Sequence, residues 1–361
     1  MDAVYSDLSK AFDSIDHGLL LDKIGSFGTA PALLLLLSSY LSHRYCFVFY
    51  NGFSSFEFIA TSGVPQGSNL GPLLFILFIN ELLLSFTCPV LAYADDIKLF
   101  HSISSSSDAW VLQNNIDKLV AWCKDNKLVI NTNKCFVITY TRKNNYVVHD
   151  YTVNNSILTR TSSIRDLGVL FTSNFNFTQH IINICSSASR TLGFIIRICR
   201  PFHDILALKS LYFAFVVSKL EYASLIWYPY YASQALHLDR VQRRFLNYAS
   251  FKLDNIYPGR DVDSQSLLER HDIMSLASRR IFSSARYMWM LIHNKIDAPF
   301  ILARVPFHVP RLSSRQGRTF HLPTARTDVY LRSPVYIMCL NAEKVFADVF
   351  MSHESAYQCV Q

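Results

Sequence analysis

Glycine and proline are scarce in this chain, 11 and 12 among 361 residues, and only 17% of the side chains are charged. The first scarcity excludes a collagen-like or Gly/Pro-rich fibrous chain; the second, with 50% apolar residues, excludes intrinsic disorder. None of the eight cysteines has a CxxC partner and no histidine cluster accompanies them, so neither a zinc site nor a disulfide framework is indicated. Reduced thiols of this kind belong in the nucleus or cytoplasm, not outside the cell. The start, MDAVYSDLSK, has no basic region and no apolar stretch, which argues against a secretory signal. The most membrane-like window, Leu70 to Thr87, is interrupted by Pro72, Asn80 and Glu81, and its apolar run from Pro72 to Ile79 is too short for a bilayer. It reads as a buried core helix, and no membrane partner is expected.

Charge is present but unevenly spread. Residues 1–189 carry a net −2, residues 190–332 carry 17 Arg, 4 Lys and 10 acids for a net +11, and the whole chain is +7. An Arg-rich second half implies a polyanion partner, with scattered solvated arginines as the plainer reading. The length allows two or three globular units at roughly 100–200 residues each.

Up to residue 145 strand and helix patterns alternate. VYSDL reads as a strand, and Leu19 to Leu41 as helical with breaks at Gly25, Gly28 and Pro31. Arg44 to Ile59 reads as two strands about an Asn51-Gly52 turn, Leu73 to Leu84 as a helix after the loop SGVPQGSNLGP, and VLAYADDIKLF as a tight hairpin. Trp110 to Asn126 reads as an amphipathic helix and Lys134 to Thr141 as a strand. This is an α+β pattern, an antiparallel sheet backed by helices. After a short strand at Asp166 to Phe171 the chain turns helical, with amphipathic segments at Leu236 to Ala249 and Leu267 to Ile292. Arg240, Arg243, Arg244, Arg279, Arg280 and Arg286 are expected on exposed faces. Pro299 to Pro334 reads as irregular.

Among the acids, Asp95 and Asp96 stand together at the hairpin tip, and Asp7 sits in a strand-like segment, where aspartate is depleted. An ordinary Asp-bearing turn would explain the first two. If instead Asp7 and the Asp95 turn lie on neighbouring strands, three hard carboxylates converge, as a Mg²⁺ site for attack on phosphorus requires.

DLSKAFDSIDH, SGVPQGSNLGPLLFILFINEL and YADD, in this order and spacing, resemble three consecutive blocks of the reverse-transcriptase palm. The likeness is to non-long-terminal-repeat (LINE-type) retrotransposons of the jockey-like group, and LVINTNKCFVITY, IRDLGVLF and LEYASLIWYPYYASQALHLDRVQRRFL extend it. The resemblance implies an RNA-directed DNA polymerase that adds deoxynucleoside triphosphates to a DNA primer on an RNA template, using two Mg²⁺ ions or Mn²⁺. It implies a palm at 1–145 without the fingers, a primer-grip strand and helical thumb at 146–255, and a helical or irregular region at 256–361.

Residue by residue, Asp7, Asp95 and Asp96 match the metal ligands. Phe12 matches the bulky residue under the incoming sugar, and reads equally as a core aromatic. Gln66 and Gly67 match the loop at the nascent base pair, with a ligand-free strand-to-helix loop as the alternative. Gly63 and Gly67 are expected to let backbone approach the nucleotide. Lys134 matches a lysine that protonates pyrophosphate, or is a solvated surface lysine. Leu167 and Gly168 match the turn that steadies the primer end, where packing alone is the alternative. Arg190, Arg197, Arg240, Arg243 and Arg244 fall where a thumb grips duplex phosphates. Asp13, Asp16 and His17 read as a structural hydrogen-bonding cluster. Because the family's fingers precede the position of Asp7, the chain is expected to be truncated and impaired in catalysis. The alternative is a non-catalytic nucleic-acid-binding remnant; a membrane-associated helical protein is a weaker third reading.

Overall fold

Strand β1 (Asp2–Asp7) buries side chains on both faces, which makes it the middle of a sheet. In the computed structural model, which describes residues 1–201, 204–259, 261–308, 319–322, 324, 328–346 and 348–350, it is followed by helices α1 (His17–Ser26), α2 (Pro31–Leu41) and α3 (Leu70–Ser85). Then come strands β2 (Val90–Tyr93) and β3 (Asp96–His101), helix α4 (Ser106–Asp125), and strands β4 (Phe136–Thr139) and β5 (Thr159–Thr161). The strands order as β5-β4-β1-β3-β2. β1 is antiparallel to both neighbours, whereas edge strand β5 runs parallel to β4, so the sheet expected to be antiparallel is mixed at one edge.

On one face Val4, Ile97, Leu99 and Val137 join a core with Leu20, Ile24, Phe75, Phe78, Ile116 and Leu119 of the helices. On the other, Ala3, Ile138 and Tyr140 are capped by Tyr5, Phe100 and Phe171. Each large side chain buried in this way is worth roughly 1.5–3 kcal/mol. The hairpin at Asn51-Gly52 forms as the sequence implies, both residues having positive φ. Its aromatics do not pack: Phe47, Phe49, Tyr50, Phe53, Phe56 and Phe58 are all exposed, Phe56 at 98%.

The chain divides into two compact units, residues 1–164 with 171–175, and residues 165–170 with 176–361. In the second, helices α5 (Thr178–Ile198), α6 (Ile205–Tyr212), α7 (Ala232–Asp254), α8 (Ser264–Arg270), α9 (Leu276–Ile292) and α10 (Pro334–Val345) dominate. α5 is long and apolar enough to cross a membrane by length and composition. Its apolar stripe is already used: Ile181, Cys185, Ala188, Leu192 and Ile195 are buried.

Two expectations are corrected here. Leu267 to Ile292 is not one helix: Asp272 takes a positive φ, and the Ser275 hydroxyl accepts from the Ser278 N–H to start α9 afresh. Arg280 is not exposed but 3% accessible, with Nε and Nη1 unpartnered. Burial pushes its pKa down, and burial pushes that of Asp239 up against the attraction of Arg280. An unpaired buried guanidinium costs more than an apolar chain of similar length. Arg280→Met should therefore hold or raise stability. A chemical denaturation curve shifted to lower midpoint would contradict this. Of the irregular stretch, the described part is not wholly loose: Phe307 bridges Phe320, which is 1% exposed beside Met288 and Met338. Residues 309–318 lie outside the described residues.

Candidate active site

The pairing register of the sheet decides where the acids stand. Asp7, the last residue of β1, is the direct cross-strand partner of Asp96, the first of β3. Tyr93 pairs Asp96 in turn, leaving Ala94 and Asp95 as a two-residue turn with Ala94 at φ 52. Directly opposed residues project to one face with Cβ atoms roughly 4.5–5.5 Å apart. Asp7 and Asp96 thus meet across two strands, with half-buried Asp95 beside them at the tip.

Like charges directly opposed are destabilising, so this corner of the sheet calls for a cation. Lys134 supplies one: its Nζ lies 3.3 Å from Asp7 Oδ2. It closes a short 3₁₀ turn, Thr132–Lys134, tethered to β1 by the Asn131 N–H donating to the Asp7 carbonyl at 2.9 Å. Carboxylate oxygens suit a divalent ion such as Mg²⁺. The donor chemistry fits, but among the described residues no three His, Cys, Asp or Glu side chains gather into a group that could hold one.

The segment after β1 is bolted to the loop before α3. The Gly63 N–H donates to the Ile15 carbonyl, and the Val64 N–H to the Phe12 carbonyl, both at 2.8 Å. Ser62 Oγ donates to the Asp13 carbonyl and Gln66 Nε2 to Asp13 Oδ1, also at 2.8 Å. His17 Nε2 lies 2.8 Å from the Gly63 carbonyl. Gly63 thus lies close against the backbone of Phe12 and Asp13. Gly67, with positive φ, has open space around it. Phe12 stacks on Phe75 with ring centroids 4.5 Å apart. It packs against the core yet stays partly accessible.

Asp16 caps α1, accepting from the Leu19 N–H at 3.0 Å, and pairs Lys127 Nζ at 2.7 Å. The Lys127 hydrogen bond, then that of Leu19, holds its carboxyl below the ordinary value of 3.8. A lowered carboxylate stabilises above the unfolded-state value and loses that contribution as pH falls through the folded one. Asp16→Ala should cost about 1 kcal/mol at pH 7, and the gap from wild type should narrow as pH is taken from 7 to below the ordinary value of 3.8. Equal gaps at both pH values would refute it.

One carboxylate outside this corner is buried without any local signal in the sequence. Asp2 is fully buried, accepts from Tyr151 Oη at 3.0 Å and faces Arg160 Nη1 at 3.5 Å, while Arg160 also bonds Thr139. Burial raises the Tyr151 pKa, and Asp2 adds to it. Both residues that hold Asp2 lie more than 140 positions away, so no local pattern could pair them.

In the second unit, Leu167 and Gly168 form a tight hairpin tip, both with positive φ, and Tyr222 Oη donates to the Leu167 carbonyl at 3.0 Å. Arg190 and Arg197 are exposed on α5, and Arg240 and Arg244 on α7. Arg243 is half-buried, donating to Ser264 Oγ at 2.7 Å and the Val262 carbonyl at 2.5 Å.

Residues 3–171 match the family profile described as reverse transcriptase (RNA-dependent DNA polymerase). The chain is 32% identical over 193 residues to a probable RNA-directed DNA polymerase from transposon BS of Drosophila melanogaster, covering 50% of this chain and 21% of that protein. It is 30% identical over 194 residues to the RNA-directed DNA polymerase from mobile element jockey of Drosophila funebris, covering 50% and 20%. The chain thus spans about a fifth of the length of these curated relatives. A solved structure of apo telomerase from Candida tropicalis is similar at 12% identity and TM-score 0.40, over 75% of this chain and 45% of that one.

Proposed function

We propose, from the match of residues 3–171 to the reverse transcriptase family, that this chain adds deoxynucleotides to a primer 3′-hydroxyl on an RNA template at the Asp7–Asp95–Asp96 corner. The observation that carries the reading is the Asp7–Asp96 register pair, which sets two carboxylates of separate sequence blocks face to face. Asp7 and Asp96, joined by Asp95, would hold Mg²⁺ or Mn²⁺. Bound there, such ions lower the pKa of the attacking hydroxyl and neutralise the triphosphate.

The remaining roles belong to this chain's own side chains. The Lys134 ammonium balances Asp7 and is the proton donor to departing pyrophosphate. The Phe12 ring, held against Phe75, leaves no room for a 2′-hydroxyl and so rejects ribonucleotides by steric exclusion. Gln66, oriented by Asp13, and Gly67, with free space around its Cα, serve the nascent base pair. Leu167 and Gly168 steady the primer end, the exposed Arg190 and Arg197 of α5 grip duplex phosphates, and Arg240 and Arg244 of α7 grip phosphates of the same polynucleotide without regard to sequence. Activity of the 361-residue chain by itself is proposed to be low, because the aromatic hairpin of residues 44–60 lies uncovered and favours association over a well-formed site.

Single-nucleotide incorporation with protein in excess over an RNA–DNA primer–template tests this. Mg²⁺-dependent addition of a deoxynucleotide in preference to a ribonucleotide is expected, with the preference lost in Phe12→Ala. The second reading is a non-catalytic binding remnant, favoured because no three-ligand group forms among the described residues. It predicts salt-sensitive binding with no incorporation at any metal concentration.

A further inference from the structure

Helices α5 and α7 enclose two clefts that share Arg240 and Arg244. One, of about 450 Å³, is lined by Ile196, Arg240, Arg243, Arg244, Asn247, Tyr248 and Tyr257. The other, of about 320 Å³, has Ser186, Ser189 and His237 beside the same two arginines. No carboxylate lines either cleft. Arg243 is committed to Ser264 and Val262, while Arg244 makes only a long 3.4 Å bond to the Ser189 carbonyl. Arg240 and Arg244 are thus exposed cations with little to hold them. The amide oxygen of Asn247 is buried without a partner, an acceptor that a ligand N–H would satisfy. The wall is aromatic: Tyr257 stacks on Phe251 at 4.4 Å, and buried Tyr248 is fixed by its hydroxyl on the Ile196 carbonyl at 3.2 Å.

We propose that the larger cleft is a binding pocket for one unpaired nucleotide of a polynucleotide, its base against Tyr257 and its flanking phosphates on Arg240 and Arg244. A simple anion would use the arginines but not the aromatic wall or the Asn247 acceptor. An apolar ligand would leave the arginines unmatched. A nucleotide uses all three, and the volume lies in the ordinary range for a small-ligand site, roughly 300–1,000 Å³. The second cleft, across the same arginines, gives the adjoining sugar-phosphate a place to run. A base still stacked in a duplex cannot enter, so the pocket selects single strands. Stacking on an aromatic together with cationic contacts to the backbone is how such strands are held without sequence preference. The proposal rests on the polynucleotide-binding reading above, but not on catalysis.

The full chain is therefore tested in EDTA, where no incorporation can occur. The probe is a thymidine 12-mer carrying one 5-iododeoxyuridine, compared with the same strand annealed to its complement. On irradiation the crosslinked peptide should contain Tyr248 or Tyr257. Arg240→Gln and Arg244→Gln should each weaken single-strand binding about tenfold and duplex binding much less. Asn247→Leu, which fills the pocket with apolar atoms, should do the same without removing charge. Crosslinks confined to other peptides, or equal losses for both forms of the probe, would overturn the pocket. A chain that crosslinks here but never incorporates a nucleotide refutes only the polymerase reading. One that incorporates but does not crosslink here refutes only the pocket. Thermal melting of each variant separates these outcomes from misfolding.

Discussion

Asp7→Asn, Asp95→Asn and Asp96→Asn are each expected to reduce Mg²⁺-dependent incorporation by roughly a thousandfold, or about 4 kcal/mol of barrier. Asparagine keeps the shape of the side chain and removes only its charge. The two-residue turn at Ala94-Asp95 and the β1–β3 ladder should therefore persist. Stability should move the other way. Asp7 and Asp96 are direct cross-strand partners, and neutralising one member of such a pair relieves about 0.2–1 kcal/mol of repulsion. Asp96→Asn should thus melt at or slightly above the wild-type temperature while losing activity. A residue kept at a cost to the fold is the mark of a working site. Loss of stability in step with loss of activity would instead indicate a structural role for Asp96. Asp7→Asn also releases Lys134.

Gly63→Ala is expected to be the most damaging single methyl in the first unit. Its Cβ would lie 2.6 Å from Asp13 Cα and 2.7 Å from the carbonyl oxygens of Phe12 and Asp13, all backbone atoms that cannot swing aside. The position also holds φ at +80, where an alanine is strained. Overpacking and strain together come to about 3 kcal/mol, a fall in melting temperature of roughly 6–12 °C. The damage is local as well as global, because the same contact sets Phe12 and, through Asp13, Gln66. Gly67→Ala is the control. It has the same positive φ but nothing within 4 Å, so it should cost only about 1 kcal/mol of stability. If Gly67 lies at the nascent base pair, its loss of incorporation should far exceed that small cost. Equal melting temperatures for the two variants would contradict the close approach at Gly63.

The contrast between these two glycines shows what a sequence can reveal. SGVPQG identifies a loop that needs positive φ at both, but the sequence does not say which one faces backbone and which faces space. That depends on a contact with residues 50 positions earlier. The acidic corner was legible for a different reason. Each arm of VLAYADDIKLF alternates in its own local pattern, and a two-residue turn fixes the register about Asp96. The β5 edge strand escaped notice because three residues are too few to show a period, and Asp2 because its partners are remote. Arg280 escaped for another reason: it stands four residues after Leu276 and eight before Met288, on the buried face of α9, and its charge alone suggests the opposite.

The central claim is that the Asp7–Asp96 corner binds a divalent ion, and it can be tested without any turnover. Fe²⁺ substituting for Mg²⁺, with ascorbate and peroxide, generates hydroxyl radicals that cut the backbone beside the ion. Cleavage of the full chain should fall at residues 6–8 and 94–97, should fade as Mg²⁺ is added, and should vanish in Asp7→Asn combined with Asp95→Asn. Cuts scattered along the chain, or localised cuts that survive the double substitution, would contradict the claim.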